Sequence, residues 1–178
     1  AYSVSDKENI HKGDLILKTQ DEVNNCIYTK VEGNLIIGGT YTDIKNLSPL
    51  DVIASITGGV KIIDCPELKN MGGLGGLNVA SVEFENVNPV LVGTWRGPVK
   101  EVVIKEVTTV GNVSLSSFTS AEKLALTSNA CGFEGFDGLK NLKVADMAGN
   151  ALVDTEDMEY MTSLESLDLS RNPLLNVN

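Results

Sequence analysis

A hexad of residues with apolar side chains at its first and third positions recurs along the chain. The hexads begin at residues 35, 60, 82, 102, 124, 145 and 167, so successive starts lie 25, 22, 20, 22, 21 and 22 residues apart. Side chains alternate across an extended strand, so the first and third positions face one side of it. The period predicts stacked coils, each with one strand, whose apolar side chains share a single interior. Examples of these core positions are Val60 with Ile62, Val82 with Phe84, Leu124 with Leu126 and Leu167 with Leu169.

The sixth position of each hexad lies where the chain leaves the predicted strand. Backbone polar groups there would be buried without partners unless a short polar side chain bonded them. Asparagine can donate and accept at once, and it stands at this position as Asn129, Asn150 and Asn172. Thr40 and Cys65 are weaker substitutes in the first two hexads. We call these five the ladder residues and predict a structural role for them.

The third and fourth hexads have no polar residue at the ladder position. Val87 and Val107 stand there, and an aliphatic side chain cannot hydrogen-bond the backbone. We therefore expect irregular turns at both places, or turns supported by a neighbouring side chain of Asn86, Asn88 or Asn112.

The residues before the first hexad predict a covered end. Residues 14–18 alternate as a strand does, and Thr19 to Glu22 spell TQDE, a capping box in which Thr19 bonds the amide of Glu22. We expect a short helix that runs to about Cys26 and presents Val23 inward. A stack of repeats exposes a hydrophobic end unless something covers it. We therefore assign residues 13–33 to an N-terminal cap, residues 34–178 to the repeat domain, and residues 1–12 to a leader or tether.

The segments between the hexads predict the opposite side of the fold. Residues 47–56 carry apolar side chains at helix-like spacing, whereas glycine in 67–81 and proline with glycine in 88–101 favour loops or short 3₁₀ turns. Acidic residues open the segment 154–166, which favours a helix there. Its inward side chains would be Met158, Met161 and Leu164.

The run from residue 31 to 62 carries a family resemblance. A Gly-Asn-Leu-x-Ile strand at 33–37 is followed by Leu-x-x-Leu at 47–50 and by Ile-x-Gly-x-x-x-Ile at 56–62. This run resembles the receptor L-domain and the leucine-rich-repeat lipoproteins that bacteria export. The resemblance implies an α/β solenoid, a right-handed leucine-rich-repeat horseshoe. About seven parallel strands would form its concave face, and loops with short helices its convex face.

The same resemblance implies a location and a role. Such proteins are held outside the cytoplasm, at the outer membrane, the cell surface or in the periplasm, and are assigned to adhesion or ligand recognition. A lipid anchor would lie upstream of this chain. The ligand, a protein or a glycan, would bind the concave face. The mixed composition of that face by itself favours a merely solvated surface over a dedicated binding surface. The candidate binding residues are Lys61, Glu83, Glu85, Glu101, Lys105, Lys123, Asp146 and Asp168.

Charge and hydropathy limit the classes of partner that the chain could bind. The net charge of −10 and the pI near 4.5 disfavour nucleic acids and anionic membranes, which require a basic face. The sequence contains no run of about 18 apolar residues, so it predicts no transmembrane segment. The aromatic side chains that a glycan platform would use are missing from the predicted concave positions.

No group of residues predicts catalysis, so we expect a protein that is not an enzyme and uses no cofactor or metal. His11 is the only histidine and lies in the predicted leader, which leaves Ser116, Ser117 and Ser120 without a base. Glu83 with Glu85 or Glu101 could mimic the carboxylate pair of a glycosidase. The acids of 154–159 fit a charged helix start better than a calcium loop.

The cysteines and the tryptophan each have a predicted structural role and an alternative to it. Cys65 and Cys131 occupy places that suit small buried thiols, and a Cys26–Cys65 bridge is the alternative. Trp95 is predicted to pack behind the sheet, with stacking on a sugar as its alternative. We expect no zinc site, because no Cys-x-x-Cys or histidine-rich spacing occurs.

Three functions remain after this reading. The first is an exported recognition or adhesion module, the second a structural spacer of a surface assembly, and the third a carbohydrate-active enzyme on a parallel β-helix. The strand of the seventh hexad is either an open edge blunted by Asp168 and Arg171, or an edge covered by a second copy or another domain. A dimer through this C-terminal edge is therefore one prediction.

Overall fold

Short parallel strands dominate the structure, a computed structural model that describes residues 7–175. The strands are β1 (Ile10–Lys12), β2 (Leu15–Leu17), β3 (Lys30–Glu32), β4 (Leu35–Gly38), β5 (Ser55–Ile56), β6 (Val60–Ile63), β7 (Val79–Glu85), β8 (Val99–Lys105), β9 (Asn112–Ser114), β10 (Lys123–Thr127), β11 (Gly132–Glu134), β12 (Val144–Asp146) and β13 (Ser166–Asp168). The α-helices are α1 (Gln20–Asn24) and α2 (Pro89–Val92), and 3₁₀ helices span Ser48–Val52, Gly72–Gly76, Phe136–Gly138 and Met158–Tyr160.

The main sheet has eight parallel strands in the order β2-β4-β6-β7-β8-β10-β12-β13. Its register aligns the first positions of successive hexads, since Leu35 pairs with Val60, Val60 with Val82, and so on to Leu167. Consecutive strands in the sheet follow each other along the chain, and each connection returns behind the sheet. The prediction of parallel β-structure is confirmed.

Two smaller parallel sheets accompany the main one. The first contains β1, β3 and β5, and the second contains β9 and β11. The prediction that residues 1–12 form a leader is wrong for its last part, because Ile10–Lys12 pairs with Lys30–Glu32. The amide of Asn9 donates to Thr29 Oγ1 at 2.8 Å. Residues 1–6 lie outside the described residues.

The core positions of the hexads form one hydrophobic interior. In β4, β6, β7, β8, β10 and β12 their side chains are at most 3% exposed, and all belong to a single cluster. The seventh hexad differs, because Leu167 is 42% exposed and Leu169 is only partly buried. The interior is therefore closed along the sheet and open at β13.

Helix α1 begins at the capping box, as predicted. Thr19 is the N-cap of α1, and its Oγ1 accepts a hydrogen bond from the Glu22 amide at 3.1 Å. The Glu22 carboxylate reaches back to the amide of Lys18 at 3.0 Å. Helix α1 ends at Asn24, two residues before the predicted limit, and Val23 is fully buried.

Most segments behind the sheet follow their composition. Residues 47–56 hold a 3₁₀ helix and strand β5, which is less helix than the spacing predicts. Gly72–Gly76 forms the expected 3₁₀ turn. Residues 89–92 form the short α-helix α2 instead of the expected loop or 3₁₀ turn, because Asn88 Oδ1 caps the helix by accepting from the Val90 amide at 3.0 Å. Trp95 is fully buried behind the sheet, as predicted, and its Nε1 donates to the Gly97 carbonyl at 2.9 Å.

The predicted helix over 154–166 is wrong. Only Met158–Tyr160 is helical, and as a 3₁₀ turn, because the preceding Asp157 adopts a left-handed conformation with φ 64°. An Asx-type bond from the Glu156 amide to Asp154 Oδ1, at 3.0 Å, forms a turn before it. Met161 still faces inward and is buried, while Met158 and Leu164 are partly buried.

Candidate binding face

The outer face is the side of the main sheet that points away from the core, and it carries rows of aligned side chains. The central row is Ile16, Ile36, Lys61, Glu83, Val103, Ala125, Asp146 and Asp168. A second row contains Ile63, Glu85, Lys105 and Thr127, and a third contains Ser81, Glu101, Lys123, Val144 and Ser166. The eight candidate binding residues all lie in these rows.

Glu83 is the shared partner of two lysines on the outer face. Its Oε2 lies 2.9 Å from Lys61 Nζ, and its Oε1 lies 2.8 Å from Lys105 Nζ. Lys61 stands directly beside Glu83 on β6, whereas Lys105 stands two residues further along on β8 and reaches diagonally. Both carboxylate oxygens are thus held, and the three side chains form a fixed triad across three strands.

The triad changes the proton affinity of its members. Burial alone would raise the pKa of Glu83, but hydrogen bonds from Lys105 and Lys61, with their charges, outweigh burial and hold the pKa below its ordinary value. The hydrogen bond to Glu83 raises the pKa of Lys105. A glycosidase general acid needs a raised pKa, so the shift at Glu83 is opposite to the one that this acid requires.

The other acids of the outer face are less constrained. Glu101 lies 3.6 Å from Lys123 in a solvent-exposed pair of small energetic value. Glu85, Asp146 and Asp168 form no ion pair with any residue from 7 to 175. Hydrogen bonds from the Ser170 hydroxyl and amide lower the pKa of Asp168. The face is neutralised in its middle and acidic towards β13.

A shallow depression of about 260 Å³ interrupts the outer face beside the triad. It lies over Gly59, which has no side chain, and a Cβ there would collide with Ser81 Oγ. Ile36 and Val103 contribute apolar walls, and Glu101 lies at its border. The signal in the sequence is a small residue immediately before each of two successive hexads, Gly59 and Ser81. It becomes visible only once the register of β6 against β7 is known.

A second cavity, of about 180 Å³, lies off the outer face between residues 132–136 and 151–157. It contains Phe133, Phe136 and the acids Asp154, Glu156 and Asp157. The sequence analysis considered these acids as possible calcium ligands. Within residues 7–175, no three His, Cys, Asp or Glu side chains are grouped so that they could hold a metal ion.

The ladder residues connect neighbouring coils at the end of the strands. Asn129, which is almost fully buried, accepts from the Val107 amide through Oδ1 and donates through Nδ2 to the Ile104 carbonyl, both at 2.9 Å. Asn150 repeats this geometry on the amide of Asn129 at 3.1 Å and the carbonyl of Leu126 at 2.8 Å. Each asparagine therefore satisfies backbone groups of the coil before it.

Asn172 continues the series one coil further. Its Oδ1 accepts from the Asn150 amide at 3.1 Å, and its Nδ2 donates to the Met147 carbonyl at 2.8 Å. The two earlier substitutes behave differently. Cys65 Sγ lies 3.3 Å from the Ile63 carbonyl of its own coil, whereas Thr40 is exposed and its side chain bonds none of the described residues. Thr40 therefore does not perform the ladder role expected of it.

The turns after the third and fourth hexads are regular, contrary to expectation. The fifth hexad position has positive φ in both, 50° at Asn86 and 53° at Glu106, as it does at Asp64 and Ser128. The same left-handed residue turns the chain in each coil, whatever side chain follows. Support for Val107 comes from Asn129 of the next coil, not from the neighbouring asparagines proposed from the sequence.

The thiols and the histidine do not form a reactive group. Cys26, Cys65 and Cys131 are all free, so the bridge between the first two is not formed. Burial, aided by the Asp64 charge, raises the pKa of Cys65 to about 12, and burial raises that of Cys131 to about 11. Both remain neutral thiols at physiological pH. The His11 ring packs edge-on against Tyr28, with 4.8 Å between the centroids.

No helix within residues 7–175 is long and apolar enough to cross a membrane. Comparisons with known proteins add no relative to these observations. No protein-family profile matches the chain, and no curated protein and no solved structure matches it. The function must therefore be argued from the residues and their geometry.

Proposed function

We propose that this chain is a leucine-rich-repeat solenoid that serves as a non-catalytic recognition module and binds a protein partner on the outer face. The aligned register of the hexads and the asparagine bonds between coils support the solenoid. In a right-handed leucine-rich-repeat horseshoe the outer face is the concave one. Recognition or adhesion is the role that the resemblance at residues 31–62 implies.

The observation that carries the proposal is the Lys61–Glu83–Lys105 triad beside the depression over Gly59. Its charged groups are already positioned on a rigid sheet, so a partner would not have to order them on binding. Apolar walls from Ile36 and Val103 lie next to these charges. Fixed charges beside a small apolar recess suit a protein side chain.

A protein partner is favoured over a glycan by the composition of the outer face. Its three rows contain aliphatic, small, acidic and basic side chains but no aromatic ring. Sugar platforms depend on aromatic faces for stacking. Glu85 and Asp146, which form no ion pair within residues 7–175, favour a partner segment that carries lysine or arginine.

The location proposed with this function is extracytoplasmic. It depends on the resemblance to exported bacterial lipoproteins, and a lipid anchor upstream of residue 1 would hold the protein at the cell surface. Fractionation of cells that express the native gene product, with protease accessibility of the intact cells, measures this directly. Protein found only in the cytosolic fraction would refute the location while leaving the binding proposal to its own test.

The binding test is a screen of the purified chain against arrays of extracellular-matrix proteins and glycans. We expect a protein hit, lost by at least ten-fold in a variant with Glu83→Lys, Lys105→Glu and Asp146→Lys, because these changes reverse the charge pattern of the face. The matched control reverses the exposed Lys45–Glu67 pair, which lies off the main sheet with 3.3 Å between its charged atoms.

Each outcome of this screen decides the proposal. Binding that is lost in the outer-face variant and kept in the Lys45→Glu, Glu67→Lys control supports it. A hit that both variants retain, or an array without any hit, contradicts it and favours the structural spacer. A glycan hit would retain the face but replace the class of partner.

A further inference from the structure

The depression over Gly59 is a gap in the third row of the outer face, in the interior of the main sheet. Asn34 and Gly59 immediately precede the paired residues Leu35 and Val60, so they extend this row beyond Ser81 and Glu101. Neighbouring strands lie about 4.8 Å apart, which places the backbones of Asn34 and Glu101 about 14 Å from each other. Only a glycine and a serine lie between them, so the gap is two strands wide.

The floor of the depression has its backbone groups already engaged. The Gly59 amide donates to Asn34 Oδ1 at 2.8 Å, and the Gly59 carbonyl accepts from the Leu35 amide at 2.9 Å. What the floor presents to a ligand is therefore the C–H surface of a glycine. Aromatic rings stabilise glycine positions in β-sheets by packing over them.

The walls of the depression combine apolar and polar groups. Ile36 on β4 and Val103 on β8 flank the two floor strands. A Cβ at residue 59 would collide with Ser81 Oγ, so this hydroxyl points over the floor. It bonds none of the residues from 7 to 175, and the Glu101 carboxylate lies at the border next to it.

Charge disfavours an ionised side chain in the depression. The surrounding ion pairs contain three cations and two anions, a surplus of one positive charge, in Lys61, Lys105, Lys123, Glu83 and Glu101. This surplus repels a lysine or arginine, while Glu101 at the border repels an aspartate or glutamate. All five groups are already paired, so an ionised ligand would lose hydration without gaining a free counter-ion.

A neutral ring that carries a hydroxyl group matches these conditions. A tyrosine ring laid over Gly59 contacts Ile36 and Val103, and its hydroxyl accepts from Ser81 Oγ and donates to Glu101. Tyrosine combines an apolar body with a polar end, and it is enriched among the interface residues that fill pockets and dominate binding energy. The outer face has no aromatic ring of its own, so the ring has to come from the partner.

We propose that the depression over Gly59 is a subsite for a tyrosine side chain of the protein partner, with the ring on the glycine and the phenol hydroxyl between Ser81 and Glu101. This inference rests on the proposed function, since it names the side chain by which a partner is recognised on the outer face. It adds a specificity for shape and hydrogen bonding to the charge pattern of the face.

The experiment is an NMR titration of the isotope-labelled chain with N-acetyl-tyrosinamide, which presents the side chain without a partner protein. We expect the amide resonances of Gly59 and Ser81 to shift, with a Kd on the order of a few millimolar. N-acetyl-phenylalaninamide should bind about five-fold more weakly, because it forms no hydrogen bond to Ser81 or Glu101. N-acetyl-lysinamide should leave both resonances unchanged.

Two variants block the depression, and each has a matched control. Gly59→Ala places a Cβ against Ser81 Oγ, whereas Gly76→Ala makes the same change where a Cβ meets nothing within 4 Å. Ser81→Val fills the space above Gly59 with methyl groups that suit a strand, and Ser166→Val repeats this change in the same row on β13. We expect Kd to rise at least ten-fold in both blocking variants and to stay unchanged in both controls. The spectrum of each variant reports whether it folds.

Every outcome of the titration supports or overturns the subsite. Shifts at Gly59 and Ser81 that tyrosinamide causes and that Ser81→Val removes support it. Resonances that tyrosinamide does not move, equal affinity for phenylalaninamide, or binding that survives Ser81→Val overturns it. Tighter binding of lysinamide at the same resonances also overturns it and assigns the depression to a cation.

The array screen keeps the recognition function separate from this subsite. A protein hit that depends on the outer face, together with no tyrosinamide binding, retains the function and removes only the subsite. Tyrosinamide binding without any protein hit supports the ligand class of the depression and contradicts the recognition function.

Discussion

The two ends of the main sheet are built from the same strand pattern but are covered differently. At the N-terminal end, α1 turns back after β2, and Val23, Leu15 and Leu17 are buried. At the other end, β13 has an apolar residue at the same register position, yet the Leu167 side chain is 42% exposed. An alternating pattern therefore indicates which side chains face the core, while their burial requires another element beyond the strand.

The ladder asparagines also differ in burial along the stack. Asn129 is buried between two coils, and the backbone groups it satisfies have no access to water. Asn172 makes equivalent bonds at a partly exposed site. Identical chemistry should consequently stabilise the protein more in the middle of the stack than near β13. Matched substitutions at the two sites measure this difference.

The largest difference in the free energy of unfolding is expected between alanine variants of two glycines with positive φ. Gly38, at φ 95°, would direct a Cβ into the Ile63 carbonyl, whereas Gly149, at φ 71°, would direct a Cβ only towards the distant end of the Arg171 side chain. We expect Gly38→Ala to lower the free energy of unfolding by about 4 kcal/mol through strain and collision. Gly149→Ala should lower it by about 1 kcal/mol through backbone strain alone. Equal losses in urea titrations would contradict the contrast.

The next contrast compares two leucines at the same register position. Leu35→Ala removes a fully buried side chain and should cost about 3 kcal/mol, in the usual range for a core cavity. Leu167→Ala should cost about 1 kcal/mol, since much of that side chain already meets water. Chemical denaturation of the two variants measures both losses of unfolding free energy. A cost of about 3 kcal/mol at Leu167 would mean that the edge is covered in solution.

The third contrast concerns the ladder. Asn129→Ala leaves the Val107 amide and the Ile104 carbonyl buried without partners, so we expect a loss of about 3 kcal/mol. Asn172→Ala should cost about 1 kcal/mol, because water can reach the groups it leaves. Hydrogen exchange of the Val107 amide provides a local readout, which should accelerate only in the first variant. Unchanged exchange there would refute the role assigned to Asn129.

The smallest effect is expected at Glu83, and it depends on pH. Because the folded-state pKa is lowered, the carboxylate stabilises the protein above the unfolded pKa of about 4.3 and loses this contribution as pH falls through the folded value. We expect Glu83→Gln to reduce stability by about 0.5 to 1 kcal/mol at pH 7, in the range of ion pairs that are partly exposed. The difference from wild type should shrink as pH falls through the lowered folded-state pKa and disappear below it. A difference that stays constant with pH would contradict the ion-pair origin.

Several parts of this molecule follow from local sequence alone. The hexad alternation places the strands and their core positions, TQDE places the start of α1, and Trp95 packs behind the sheet as its size and apolar surface suggest. These features depend on side-chain periodicity or on bonds within one turn of the chain. They need no knowledge of what lies beside them.

Other parts depend on neighbours distant in sequence. Strand β1 pairs with β3, which lies about 20 residues further along the chain. The regular turn at Val107 depends on Asn129, which lies 22 residues further along the chain. Composition and spacing contain no direct signal for such bonds, because the partner becomes known only when coils are stacked.

The sequence by itself determined the alternation that makes parallel strands, the identity of the core side chains and the set of residues on the outer face. Tertiary structure alone decided that Glu83 binds two lysines, that a depression lies over Gly59, and that the core is covered at one end of the sheet and accessible at the other. The physical reason is that side-chain orientation is set within one strand. Ion pairs, cavities and covered edges depend on the register and packing of separate strands.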